Sequence, residues 1–229
     1  MESTYKGHRF PPEIISHAVW LYHRFTLIFR DVEDLLAERG ISVSYEAIRC
    51  WCIKFGPTYA QSLRRKQGRF GVIWHVDEVF ITIRGECHYL WRAVDQDGDV
   101  IDILVTKHRD CRAATRFFRK ALKHQGQVPW QLVTDKLRTY QAVHREVFPP
   151  VVHRTGRNEN NMAEVSHQHT REQEKQMRRF KSPQQAQRFL SVHGVIQNLF
   201  RFGRHHLKAV HYRLLRWRAF SDWRMAICV

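Results

Sequence analysis

Apolar residues recur at helical spacing through the first quarter of the chain. The pattern predicts one helix after Pro11, a short second helix around residues 32–36 that stops at Gly40, and a third helix. Ser44 lies just before the third helix, where we expect it to be the N-cap. Two short helices joined by a glycine-containing turn are typical of a helix-turn-helix. We therefore predict a small all-α domain over residues 1–56.

The pattern changes after a polar, basic stretch bounded by glycines, residues 57–69, which we interpret as a linker. From Phe70 to Arg84 the chain is rich in β-branched and aromatic residues, which predicts a strand. A turn near Gly85 joins it to a second strand over residues 87–94, and the run VIDILVT forms a third. These three strands with tight turns predict an antiparallel meander.

Helices and strands then alternate to the end of the predicted catalytic domain, residues 70–200. The remaining elements are a basic helix from Cys111 to Lys123, a strand over Gln131–Thr134, a helix from about Lys136, a strand over Val151–His153, and helices over 162–180 and 183–200. The order βββαβαβα predicts a mixed α/β domain of the ribonuclease-H-like type. Residues 201–229 are expected to form a basic C-terminal tail, which either grips DNA or is a solvated helix.

Charge is the first feature that narrows the function. The chain has 38 Lys and Arg against 22 Asp and Glu, a formal net charge of +16. Such an excess is typical of proteins with an anionic partner, and nucleic acid is favoured over a membrane surface. The third helix would present three residues to DNA on its outward face: Tyr45, Arg49 and Lys54.

Cellular location is predicted from what the sequence lacks. It has no apolar run of the roughly 18 residues that a membrane span needs, and its N-terminus does not resemble a signal peptide. The five cysteines include no CxxC pair, which favours reduced thiols in a cytoplasm. We expect no membrane association.

Three acids have the pattern of a metal site for phosphodiester chemistry. Asp77 lies within a strand, where a carboxylate is costly unless it is paired or binds a cation, and Glu78 points to the opposite face. Asp135 follows the strand LVT, and Glu164 begins a helix on which His167, Arg171 and Lys175 suit phosphate contacts. Each acid also has an ordinary explanation, because Asp135 could cap a helix and Glu164 could face the helix dipole.

The residues around these acids form three motifs in a specific order. The segments are WHVDEVFITIRGECHYLWRAVDQDGDVIDILV, LVTDKLRTY and NNMAEVSHQHTREQEKQMRRFKS. They closely resemble the DDE-type transposases of bacterial insertion sequences, within them the insertion-sequence-six family, over roughly residues 10–200. The resemblance implies that Asp77, Asp135 and Glu164 are the catalytic acids and that they hold two Mg²⁺ ions, with Mn²⁺ as an alternative.

The resemblance also implies a reaction and its partners. We expect cleavage at the ends of an insertion sequence and attack of the freed 3′-hydroxyl on target DNA, in a bacterial cytoplasm at the nucleoid. The partners would be double-stranded DNA, as terminal inverted repeats and target, and at least one second copy of the chain. The family's basic DNA contacts fall on Lys136, Arg171, Lys175, Arg178, Arg179 and Lys181.

Three departures from the family pattern keep other functions open. The second and third acids are 29 positions apart, shorter than the spacing of the wider group; Val165 replaces an expected Asn, and Gln173 an expected Arg. The alternative function is a catalytically inactive DNA-binding regulator that uses the helix-turn-helix. A third possibility is a ribonuclease-H-type nuclease that cuts without strand transfer.

Overall fold

The computed structural model describes residues 4–156, 160, 162–163, 168–202 and 207–227. Its elements are α1 (Pro12–Arg24), α2 (Phe29–Ala37), α3 (Tyr45–Lys66), β1 (Ile73–Ile83), β2 (Glu86–Asp95), β3 (Val100–Thr106), α4 (Cys111–Gln125), β4 (Gln131–Val133), α5 (Arg138–Val147), β5 (Val152–Arg154), α6 (Gln168–Gln176), α7 (Pro183–Leu199) and α8 (Ala209–Ile227). The chain divides into a helical unit, Met1–Gln67 with Val195–Val229, and a sheet unit, Gly68–Gly194.

The helical unit is built on α3, which packs against α1, α2 and α8. Ser44 Oγ accepts a hydrogen bond from the backbone N–H of Ala47 at 3.3 Å, as expected of an N-cap. The helix passes through Pro57 and ends only at Lys66. Residues 57–66, which we expected in a linker, are therefore helical. The cause is burial of Tyr59 and Leu63, which outweighs the Gly-Pro break in the pattern.

The last helix belongs to the same unit. In α8, the side chains of Trp223 and Ala226 are buried, and Trp223 packs edge-on against Tyr59 at 5.4 Å between ring centroids. The hydroxyl of Tyr5 donates to the carbonyl of Ile227 at 2.9 Å. The predicted basic tail thus contains a packed helix with an apolar face. No described helix is both long and apolar enough to cross a membrane.

The sheet unit holds five strands in the order β3-β2-β1-β4-β5. The first three strands are antiparallel, and β4 and β5 run parallel to β1. Arg84 and Gly85 both have positive φ, as a two-residue hairpin turn between β1 and β2 requires. The ribonuclease-H-like arrangement has three antiparallel strands, with two further strands added beside the first and parallel to it. This sheet has that arrangement, so the predicted fold is confirmed.

Helices cover both faces of this sheet. On one face Trp74, Val76 and Trp91 pack against Phe117 and Phe118 of α4, in a core that α5 completes. On the other face lies α7, where the side-chain amide of Gln187 bonds the backbone of β3. Gly194 allows this approach, because a Cβ there would lie 3.2 Å from Val100 Cγ1.

A buried acid links β3 to α4. The Asp102 side chain is fully buried; it accepts a hydrogen bond from Lys120 Nζ, and its Oδ2 lies 2.8 Å from His124 Nδ1. Burial alone would raise the pKa of Asp102, but the contacts with His124 and with the Lys120 ammonium lower it below its ordinary value. This cluster therefore holds a carboxylate inside the domain.

The helix predicted over residues 162–180 is interrupted before its end. α6 stops at Gln176, and Arg178 and Arg179 both have left-handed backbone, with φ of 54° and 67°. The N–H of Arg179 donates to the Glu174 carbonyl, and the N–H of Arg178 to that of Lys175. These two bonds define a Schellman cap, which turns the chain so that Phe180 enters the core.

Candidate active site

Two of the three predicted acids come from neighbouring strands of the sheet, Asp77 within β1 and Asp135 just after β4. β1 and β4 are parallel, and their last paired residues are His75 and Val133. Asp77 follows His75 by two residues within β1, and Asp135 follows Val133 by two residues, just past the end of β4. Burial raises the pKa of Tyr140 and the carboxylates of Glu78, Asp135 and Asp77 add to this, so Asp77 and Asp135 lie in the same region. Adjacent strands are about 4.8 Å apart, a separation at which two carboxylates can share cations.

A backbone amide fixes each of these carboxylates. Asp77 Oδ1 accepts from the N–H of Glu78 at 2.8 Å, and Asp135 Oδ1 accepts from the N–H of Leu137 at 3.0 Å. Asp135 Oδ2 has no hydrogen-bond partner within the described part of the chain. Both side chains are half-buried. Half-buried carboxylate oxygens suit a hard divalent cation such as Mg²⁺.

Glu78 faces away from Asp77, as strand alternation predicted, and is held in the core. Its carboxylate accepts hydrogen bonds from the Arg109 guanidinium and the Tyr140 hydroxyl. Burial raises the pKa of Glu78 and the nearby Asp135 carboxylate adds to this, whereas Tyr140 and Arg109 oppose it. Sequence reasoning missed this group because its members are far apart in the chain.

Described residues on either side of the third acid in the chain are bonded to the sheet. Asn160 Nδ2 donates to the carbonyl of Val76 at 2.8 Å, next to Asp77. Arg92, the cross-strand partner of Asp77, donates from Nη1 to Thr170 Oγ1 at 3.3 Å. Both contacts are buried and neither was predicted. The position of Arg92 inside the apolar strand β2 could have indicated that this side chain has a buried partner. Glu164 and His167 lie outside the described residues.

The other predicted DNA contacts of the sheet unit are all on its surface. Lys136 directly follows Asp135, and the remaining residues lie on α6 or just after it. The exposed set is Lys136, Arg171, Lys175, Arg178, Arg179 and Lys181. Gln173, where an arginine was expected, is instead buried. The basic surface and the uncharged buried position therefore lie on different faces of α6.

The predicted DNA-reading face of α3 is exposed. Tyr45 is 39% exposed and lies under the Arg30 guanidinium at 4.6 Å. Arg49 pairs with Glu46 at 2.6 Å, and the resulting hydrogen bond raises the pKa of Arg49 above its ordinary value. Lys54 Nζ lies 2.8 Å from His8 Nε2. The three side chains are thus held in place by local contacts.

The sheet order, with Asp77 on β1 and Asp135 just after the neighbouring β4, is typical of one class of enzyme, the ribonuclease-H-like polynucleotidyl transferases. A family model described as a DDE domain, of the IS240 transposase type, matches residues 71–203. The transposase of the insertion-sequence-like element IS431mec from Staphylococcus aureus is 31% identical over 166 residues, which are 70% of this chain and 74% of that protein. The transposase of IS257 in transposon Tn4003 from the same species is 30% identical over the same shares. The chain belongs to the DDE transposases of bacterial insertion sequences.

Solved structures with a similar fold are retroviral integrase cores. The HTLV-2 integrase catalytic core, determined in complex with magnesium, matches with a TM-score of 0.37 and 18% identity, covering 43% of this chain and 66% of that one. The BIV integrase core matches with a TM-score of 0.41 and 14% identity, covering 66% and 99%. Enzymes of the DDE family use divalent metal ions.

Proposed function

We propose that this protein cuts DNA at the ends of an insertion sequence and joins the freed 3′-hydroxyls to target DNA, with Asp77, Asp135 and Glu164 holding two divalent metal ions. Two such ions would activate the attacking oxygen and stabilise the leaving oxygen of the phosphodiester. Mg²⁺ is the proposed ion and Mn²⁺ a substitute, because the ligands are carboxylate oxygens.

The anchoring of the chain around Glu164 is the observation that carries this proposal. Asn160 is bonded to β1 at the residue before Asp77, and Thr170 is bonded to the cross-strand partner of Asp77. Ala163, which directly precedes Glu164, is fully buried. Two residues ten positions apart, Asn160 and Thr170, are both bonded beside Asp77, which supports a third carboxylate from the chain between them.

DNA binding is divided between the two units in this proposal. The face of α3 with Tyr45, Arg49 and Lys54 would read the terminal repeats, as the second helix of a helix-turn-helix does. Lys136, His167 and the basic residues of α6 would hold phosphates near the acids. Two ends of an insertion sequence must be cut together, so we also propose a dimer or larger assembly on DNA, at the nucleoid of a bacterial cytoplasm.

The experiment uses a supercoiled plasmid that carries the DNA flanking this gene, together with the full-length protein and Mg²⁺ or Mn²⁺. Asp77→Asn, Asp135→Asn and Glu164→Gln should each reduce strand cleavage and joining to background, because a carboxamide does not replace a carboxylate ligand. Binding of each variant to the end sequence should persist in an electrophoretic shift assay. Asp97→Asn, a change at an exposed turn, is the matched control and should keep activity.

The outcomes separate the competing functions. An active Asp77→Asn, Asp135→Asn or Glu164→Gln variant would remove that acid from the metal site. A wild-type protein that binds the ends without nicking them would be the catalytically inactive regulator. Cleavage without joining would indicate a simple nuclease.

A further inference from the structure

The helical unit contains a cavity of about 810 Å³. This volume lies within the roughly 300–1,000 Å³ of ligand sites in proteins. Every described residue that lines the cavity is either aromatic or an arginine: seven aromatic side chains and three arginines. These residues include no acid, so the wall is positively charged. Its aromatic rings offer flat surfaces on which another ring could stack.

Trp20 lies at the centre of the aromatic wall. Its ring is edge-on to Phe25 at 5.1 Å, to Phe220 at 5.3 Å and to Phe200 at 5.7 Å between centroids. Its Nε1–H is shielded from solvent and has no hydrogen-bond partner among the described residues. A buried donor without an acceptor is costly, so a ligand carbonyl at this position would be favoured.

Trp217, Arg213 and Arg216 border the open side of the cavity. Trp217 is 62% exposed, although tryptophan side chains are on average largely buried in folded proteins. Arg213 and Arg216 are exposed and form no ion pair within the described part of the chain, and Arg216 lies 5.9 Å over the Tyr212 ring. Arg24 is fixed deeper, donating to the Phe200 carbonyl at 3.2 Å.

We propose that this cavity binds the bases of a single DNA strand, with a base stacked on Trp217 and adjacent phosphates held by Arg213 and Arg216. Stacking on aromatic rings and charge pairing with the backbone are the two contacts by which proteins hold single strands. A base also supplies the carbonyl that the Trp20 donor lacks. This site adds to the proposed function, because it involves neither the acids of the sheet unit nor the outer face of α3.

The test measures binding of the full-length protein to a fluorescein-labelled thymidine oligonucleotide of about eight nucleotides, a usual single-strand site size. A matched oligonucleotide with abasic sites has the same phosphates and no bases. The buffer contains EDTA, so strand cleavage cannot contribute. Trp217→Ala should weaken thymidine binding about tenfold and leave abasic binding unchanged, whereas Trp217→Phe should retain most of the affinity.

Two control variants isolate the cavity from general charge and surface effects. Trp130→Ala removes an equally exposed tryptophan from the sheet unit and should change nothing. Arg213→Ala should weaken binding of both oligonucleotides, whereas Arg218→Ala, exposed on the same helix outside the cavity, should leave both near wild type.

The proposal is overturned if Trp217→Ala binds thymidine as tightly as wild type, or if it loses both oligonucleotides equally. It is also overturned if the wild-type protein does not distinguish thymidine from abasic strands, as expected if a protein segment occupies the cavity. Loss of transposition by the acid variants would leave these results unaffected, so the two proposals fail independently.

Discussion

Two buried acids of the sheet unit have opposite pKa shifts, and their surroundings explain the difference. Glu78 has one cation, Arg109, and a neighbouring carboxylate, Asp135, so burial dominates and its pKa rises. Asp102 has Lys120 and His124 and no acid beside it, so its pKa falls. The surroundings of Asp102 therefore favour the ionised carboxylate, whereas burial of Glu78 works against ionisation.

Asp102→Asn should lower the free energy of unfolding by about 3–5 kcal/mol at pH 7, because it leaves Lys120 without its buried counter-charge. The folded-state pKa of Asp102 is depressed, so its contribution is present above the unfolded value of about 3.9 and is lost as pH falls through the folded value. The difference between wild type and variant in urea denaturation should therefore shrink below about pH 4. Asp97→Asn is the control, and a constant difference across pH would contradict the assignment.

Among the helices and strands, the features that the sequence predicts correctly are those set by residues close together in the chain. The helix from Cys111 and the turn near Gly85 were predictable because caps and turn residues are encoded locally. The break expected at Pro57 does not occur, since tertiary burial of Tyr59 outweighs it. The end of α6 was missed because Arg178 occupies a cap position that usually contains glycine.

Arg178→Gly should raise stability by about 0.5–1 kcal/mol, because glycine adopts the left-handed backbone of the cap without steric cost. The opposite is expected of Arg171→Gly, which places glycine inside α6 and should cost about 1 kcal/mol. Thermal unfolding of the two variants compares the same chemical change in two backbone conformations. Equal destabilisation by both would show that the cap is not populated.

The same contrast applies to the candidate site. The motifs marked Asp77 and Asp135 as candidates, and strand alternation separated Asp77 from Glu78. The bonds from Asn160 to Val76 and from Arg92 to Thr170 join segments about 80 residues apart, and only the folded sheet brings them together. Local pattern therefore marked the candidate acids, and long-range packing determines what holds the chain around them.

For the whole molecule, the decisive property is where the positive charge lies. The sheet unit, Gly68–Gly194, has 21 Lys and Arg against 14 Asp and Glu, and the remaining residues have 17 against 8. Both units therefore carry an excess of positive charge. DNA binding that used only the helix-turn-helix would not require the excess in the sheet unit, so we expect phosphate contacts from both.

Salt dependence tests whether the outer face of α3 supplies some of these contacts. Each phosphate neutralised on duplex DNA adds about 0.9 to the slope of log affinity against log salt concentration. Lys54→Gln should therefore reduce the slope by about 1, together with the affinity at low salt. Lys66→Gln is the matched control, because Lys66 is exposed at the far end of the same helix and outside the predicted reading face. Equal slopes for wild type and Lys54→Gln in fluorescence anisotropy titrations would place the duplex elsewhere on the protein, and the proposed reading role of α3 would fail.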